Sequence, residues 1–343
     1  MRFKRQYKKY FTWTPLFVLL IVALLFASYT IIKRQRIMSE GKSIVFGVTF
    51  STKYAKDLGL DWKEVYDAII DDLGVRYLRI PVYWDEIEPS PGNYDWKKFD
   101  YIVKRAEDSG AKIIAVVGRR QPRWPECHVP TWAYGNSETV QRVNILSGIE
   151  STVNRYKNSP AIRVWQIDNE PLLRIFGECP EPDMDFLSSE VELVRSLDGT
   201  RPIMMTESGE LSTWLRLTPL ADWIGVSMYR VTWNDIWGYW VYPLTPDFYR
   251  RKAKIISPVT DKVIISELQA EPWFKVDVRI DSLEEQMRSM NPDVFRKNVR
   301  FAKETGLDET LLWGVEWWYW LKEIKGEQGM WEVAREVFGG DAR

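Results

Sequence analysis

The sequence predicts an α/β protein: a (β/α)8 TIM barrel over residues 43–343, preceded by one N-terminal transmembrane helix over 11–32. Three observations predict it. Eight short apolar, β-branched runs alternate with longer amphipathic stretches, the pattern of a parallel sheet covered by helices. The runs are nearly continuous in apolar residues, as strands buried on both faces are. One further apolar run, near the N-terminus, is long enough to span a bilayer.

The N-terminal run is PLFVLLIVALLFASYTII, residues 15–32, and it reaches 22 residues when extended back to Phe11. Trp13 and Tyr29 lie near its ends, where amphipathic rings favour the membrane interface. Five basic residues precede it and three follow closely, which predicts a cytoplasmic tail of residues 1–10 and a barrel outside the cell. A cleaved signal peptide is the alternative, which would make the protein secreted; Leu25-Phe26-Ala27 fits a cleavage site poorly, because Leu occupies the outer small-residue position. Residues 33–42 read as a short polar stalk. The lipid bilayer is thus one expected partner, through residues 11–32.

The eight strands are expected at 43–50, 76–82, 112–118, 161–167, 201–207, 222–229, 262–268 and 310–318, with helices between them. A doubly wound open sheet would usually carry a Gly-rich phosphate loop after its first strand. Here FSTKYAKDLG follows instead. Eight units over about 300 residues match the barrel in count and size.

Composition excludes several function classes. Beyond residue 43 the chain holds 38 basic and 47 acidic residues, the wrong sign for a nucleic-acid surface. Two cysteines and one histidine, His128, are too few for a structural zinc site, and no metal or cofactor is expected. Cys127 and Cys179 fall on neighbouring loops of the expected fold, and outside the cytoplasm they can form a disulfide. There is no G-x-S-x-G elbow for a serine hydrolase and no P-loop.

Barrel chemistry gathers at the C-terminal ends of the strands. Those ends carry Arg79 and Trp84 on strand two, Arg123 and Trp124 on strand three, and Asp168, Asn169 and Glu170 on strand four. Strand five brings Glu207, strand six Tyr229, strand seven Glu267, and strand eight Glu316, Trp317 and Trp318. Carboxylates are the acid–base groups on offer, and tryptophan surrounds them. That combination suits glycoside chemistry: one carboxyl protonates the leaving oxygen while another attacks the anomeric carbon or activates water. Tryptophan faces suit the C–H faces of pyranose rings, so Trp84 and Trp124 are candidate substrate contacts and a carbohydrate is the expected substrate.

These residues resemble glycoside hydrolase clan A, the retaining (β/α)8 glycosidases whose catalytic glutamates end strands four and seven. Three stretches carry the resemblance: RIPVYWDEIEPSPGNYDWKKFDYIVKRAEDSGAKIIAVVG (79–118), VWQIDNEP (164–171) and VIISELQAEPW (263–273). The resemblance implies that Glu170 is the acid/base and Glu267 the nucleophile, with Glu271 its local rival. It implies that Asn169 bonds the sugar 2-hydroxyl and that Arg79 and Tyr229 hold the nucleophile ionised. A strand-eight tryptophan, Trp317 ahead of Trp313 and Trp318, would floor the subsite of the cleaved sugar. Family 5 of the clan usually has histidines near the end of strand three and two residues before the strand-six tyrosine. Here strand three ends GRRQPRW and Ser227 holds the other position, so the sequence matches the clan better than that family. Asp168 is expected to make a structural pairing, Asp85, Glu86 and Glu88 to be loop acids and caps, and His128 to have no catalytic part. A transglycosylase using the same glutamates, or a non-catalytic glycan-binding protein, are the other functions this sequence allows.

Overall fold

The computed structural model describes Val18, residues 44–273 and residues 275–340. The anchor expected over 11–32, the tail and the stalk therefore lie outside the described residues, Val18 aside. Among the described residues no helix is long and apolar enough to cross a membrane.

Eight parallel strands close into a barrel: β1 (Val45–Thr49), β2 (Tyr77–Pro81), β3 (Lys112–Val117), β4 (Ile162–Ile167), β5 (Ile203–Glu207), β6 (Trp223–Met228), β9 (Lys262–Gln269) and β10 (Glu309–Trp313). Each pairs with its sequence neighbour in the barrel, and β10 closes on β1 with Gly47 opposite Leu311. An antiparallel hairpin, β7 (Val231–Asn234) and β8 (Gly238–Val241), is inserted after the sixth barrel strand. The expected (β/α)8 architecture is present; the hairpin was not foreseen.

Alternation along the strands builds two apolar layers. Tyr77, Ile114, Val164, Met204, Ile264 and Leu311 form a cluster of their own inside the barrel. The opposite strand faces, such as Ile113, Ala115 and Val117, join the outer core beneath the helices. At the N-terminal end, Glu309 accepts from both guanidinium NH2 groups of Arg163, at 2.6 and 3.2 Å, and pairs with Lys262. Arg163 lies over the rings of Tyr77 and Trp223, so this end is filled by paired charges and aromatic rings.

The helices follow their sequence signals. Ser137 caps helix 138–156 by accepting from the Val140 N–H, and Asp183 caps helix 184–197 in the same way. The stretch between the seventh and eighth barrel strands holds two helices, Leu283–Ser289 and Pro292–Thr305. Asn291 caps the second and Pro292 opens it, where a missing N–H costs nothing.

The eighth strand is shorter than expected. It stops at Trp313, because Gly314 turns the chain at φ 128, and residues 315–320 are helical. A side chain at Gly314 would strike Glu271, its Cβ lying 2.6 Å from that of the glutamate. WGVEWW therefore holds one strand residue, a turn and a buried helix.

Candidate active site

Strand β4 ends at Ile167, and the next three residues leave it along an alternating path. Asp168 and Glu170 both adopt left-handed backbone, φ 51 and 42, a conformation that costs a non-glycine residue about 1–3 kcal/mol. Arg123 and Glu126, on the loop after β3, share it at φ 83 and 73. Such strain is held where the surroundings over-determine it. Thr206 of β5 accepts from the Glu170 N–H at 2.8 Å and bonds Asn169 Oδ1 at 3.1 Å. Asp168 turns the other way and accepts from the Arg120 N–H at 2.9 Å, fixing the loop after β3. Its pairing is structural, as the alternation implies.

Arg79 is fully buried and reaches from β2 across the barrel mouth. It donates to Gln166 Oε1 at 2.7 Å, to Glu267 Oε1 at 2.9 Å and to Asn169 Oδ1 at 2.6 Å. One guanidinium thus sets three side chains in a fixed plane. Tyr229, just past β6, donates its hydroxyl to Glu267 Oε2 at 3.1 Å. Both oxygens of Glu267 are thereby engaged by donors, which fixes the orientation of its carboxyl.

Glu170 has the opposite surroundings. Burial first, and then the charges of Glu267 and Glu126, push its carboxyl up to about 8, against the pull of a 2.8 Å hydrogen bond donated by Ser227. Two carboxyls thus share one mouth in different surroundings: Glu267 is held by Arg79 and Tyr229, and Glu170 is buried with its carboxyl raised. A third carboxyl, Glu126, is pushed up to about 7 by burial; Arg120 at 3.3 Å and the Asn169 amide at 3.4 Å face it.

The structure thus brings together Glu170, Glu267, Asn169, Arg79 and Tyr229, all chosen from sequence. It does not bring the tryptophans as expected. Trp317 is fully buried in helix 315–320, its indole N–H donated to Gln286 at 2.8 Å, so it packs the core and floors no subsite. Trp84 is also buried, donating to Glu88 at 2.6 Å and meeting Trp132 edge-on; it is no substrate contact. Trp318 is likewise internal, bonded to the Ala270 carbonyl at 2.7 Å. Trp313 holds the strand end, and its face is covered by Arg123 at 4.1 Å. Arg123 lies between Trp313 and Tyr54 and pairs with Glu271 and, at 2.8 Å, with Glu316. Glu271 and Glu316 are therefore partners of an arginine. Trp124 alone among the chosen tryptophans is open, at 60% exposure.

Cys127 and Cys179 are joined, a disulfide that ties the loop after β3 to the loop after β4. His128 packs tilted against Tyr83, ring centres 4.4 Å apart, and is pushed down to about 3 by burial, so it stays neutral. Asp85 pairs with Lys53 and Glu86 with Lys98, while Glu88 accepts from the Gly92 N–H, as loop acids do. Glu207 is buried with one oxygen unpartnered. Sequence reasoning missed Gln166, Thr206 and Glu126. The first two were legible as polar residues interrupting apolar strands.

Comparison with known proteins places the chain. The family described as Cellulase (glycosyl hydrolase family 5) matches residues 39–309. A probable mannan endo-1,4-β-mannosidase A-1 of Aspergillus terreus is 27% identical over 41% of this chain and 43% of its own length. Endo-1,4-β-xylanase 3 of Hypocrea jecorina is 31% identical over 42% of this chain and 37% of its own. The chain thus spans less than half the length of these curated relatives. Among solved structures, xylanase 10B from Thermotoga petrophila in complex with xylobiose superposes with a TM-score of 0.58, at 13% identity, over 90% of this chain and 98% of that one. A β-galactosidase from Halorubrum lacusprofundi superposes at 0.54, with 15% identity, over 86% of this chain and 58% of that one. These two share the barrel fold. Although Ser227 stands in place of one usual histidine and the strand-three position lacks the other, the chain belongs to glycosyl hydrolase family 5 of clan A.

Proposed function

We propose that this protein is a retaining β-glycosidase that cleaves a β-1,4-linked polysaccharide by double displacement, held at the outer face of a membrane by residues 11–32. Glu267 attacks the anomeric carbon while Glu170 gives its proton to the leaving oxygen. Glu170, now ionised, then takes a proton from water, which releases the sugar from Glu267. The single observation that carries this reading is the split environment of the two glutamates. Arg79 and Tyr229 hold both oxygens of Glu267, whereas burial keeps Glu170 protonated to about 8. Asn169, fixed by Arg79 and Thr206, is positioned to bond the 2-hydroxyl, and Arg79 reaches both residues. The β-1,4 linkage is taken from the mannosidase and xylanase relatives. The membrane placement is taken from the basic, apolar N-terminus.

The test is turnover of the full chain on a panel of mannan, xylan, β-glucan and aryl β-glycosides, with Glu170→Gln and Glu267→Gln beside it. Each variant is expected to lose several orders of magnitude in kcat. Near wild-type turnover by either rejects the assignment. Carbonate extraction of cell membranes tests the anchor, which predicts that the chain stays in the pellet.

A further inference from the structure

The two loops that the disulfide joins also carry the exposed aromatic surface beside the acid/base. Trp124 lies three residues before Cys127, and Phe176 three before Cys179. Their rings meet edge-on at 5.9 Å, with 60% of Trp124 and 40% of Phe176 exposed. The seam between the loops is closed by more than the disulfide. Arg120 donates to the Phe176 carbonyl at 2.8 Å, and the Glu178 N–H donates to the Pro125 carbonyl at 2.9 Å. Gly177, at φ 85, lies so close to Glu126 that a Cβ would sit 2.8 Å from its side chain. From Phe176 the aromatic row continues to Trp273 at 6.2 Å and on to Tyr229 at 5.7 Å, whose hydroxyl touches Glu267.

The geometry points to a leaving-group subsite: Trp124 and Phe176, held in register by the Cys127–Cys179 disulfide, form the wall on which the departing pyranose ring stacks. This rests on the glycosidase reading above. The direction follows from proton chemistry. The acid must reach the oxygen that leaves, so the departing ring lies on the side of Glu170. The loop after β4 begins at Glu170 itself and runs to Phe176 and Cys179. The loop after β3 holds Glu126 against Asn169 and presents Trp124 three residues past the bend. Large aromatic faces beside polar edges suit a ring with C–H faces and a hydroxyl rim. Other apolar side chains, Ile175 on the loop after β4 and Trp237 on the hairpin among them, are exposed too, but Trp124 and Phe176 are the pair whose rings the disulfide-tied loops hold against each other. A wall of this kind contacts only the departing sugar, and it serves a substrate whose leaving group is another sugar.

The experiment compares two leaving groups on the full chain. One substrate is β-1,4-mannohexaose or β-1,4-xylohexaose, whichever the wild type turns over faster; the other is the matching triosyl fluoride, whose fluoride fills no sugar site. Trp124→Ala is expected to lower kcat/KM for the hexaose about ten-fold and to leave the fluoride within about two-fold. Cys127→Ser/Cys179→Ser is expected to show the same split in protein that circular dichroism finds folded. Equal loss on both substrates, or loss on neither, overturns the proposal. Calorimetric titration with the hexaose separates this from failure of the glycosidase reading. If the wild type binds the hexaose without cleaving it, hydrolysis fails, while a ten-fold weaker binding by Trp124→Ala upholds the wall and unchanged binding overturns it. A wild type that neither binds nor cleaves either hexaose overturns both.

Discussion

Ser227 donates its hydroxyl hydrogen to Oε1 of Glu170 at 2.8 Å, joining the ends of β6 and β4 across 57 residues of chain. The bond favours ionised Glu170 while burial opposes it, and burial dominates. In the mechanism proposed above, glycosyl transfer to Glu267 needs Glu170 protonated, so kcat/KM is expected to fall as pH rises through about 8. Ser227→Ala removes the opposing pull, and the basic limb of the pH profile should then move upward. A limb that stays in place would show that another group controls it.

Removing Arg79 is expected to act on stability and chemistry together. Arg79→Met leaves Glu267 buried without its cation, with Gln166 and Asn169 losing donors. Breaking such a pair costs about 3–5 kcal/mol, read as a lower midpoint in urea unfolding. In protein that remains folded, kcat/KM should fall about a hundred-fold, because Glu267 has lost the guanidinium that orients its carboxyl. Wild-type kcat/KM in folded Arg79→Met would separate Arg79 from the chemistry.

Arg123 offers a cleaner test through a triple variant. Arg123→Met strands the carboxylates of Glu271 and Glu316, both buried, and is expected to cost about 3–5 kcal/mol. Adding Glu271→Gln and Glu316→Gln removes those charges and should recover most of the loss. If the triple variant is no more stable than Arg123→Met, the destabilisation comes from lost packing against Tyr54 and Trp313 instead.

Glu170 also makes stability depend on pH. Its folded value, about 8, is raised above the ordinary glutamate value of 4.5, so the folded state holds a proton that the unfolded chain releases. Stability from this group is fully present below about 4.5 and is lost as pH rises through about 8. Glu170→Gln keeps the shape without the titration. The variant should therefore gain melting temperature over the wild type at pH 9 and show no such gain at pH 4. Equal differences at the two pH values would remove Glu170 as the source.

The strands and the meeting of Glu170 with Glu267 at one barrel mouth were legible because short-range signals suffice for them. An apolar β-branched run such as KIIAVV forms strand wherever it lies, and Asn169-Glu170-Pro171 marks a strand exit by its own chemistry. The tryptophans were not legible, because a strand end and a buried helix draw on the same residue. Trp317 looked like rim and is core, and one glycine at 314 decides it. The hairpin VTWNDIWGYWV was not legible because its strands are only four residues each, too short to stand out beside the barrel runs. The bond from Ser227 to Glu170 was invisible for another reason: the serine stood out only as a missing histidine, and its partner is set by closure of the barrel.

The charged plug formed by Arg163, Glu309 and Lys262 gives the barrel a floor. With the apolar layer of Tyr77, Ile114, Val164, Met204, Ile264 and Leu311 above it, the described barrel is filled rather than hollow. On the function proposed above, a polymer would lie across the rim rather than thread the barrel, and both fragments would depart by the face at which the chain arrived. Incoming substrate and outgoing product would then contend for the same few loops, so product inhibition and turnover would be governed by one surface.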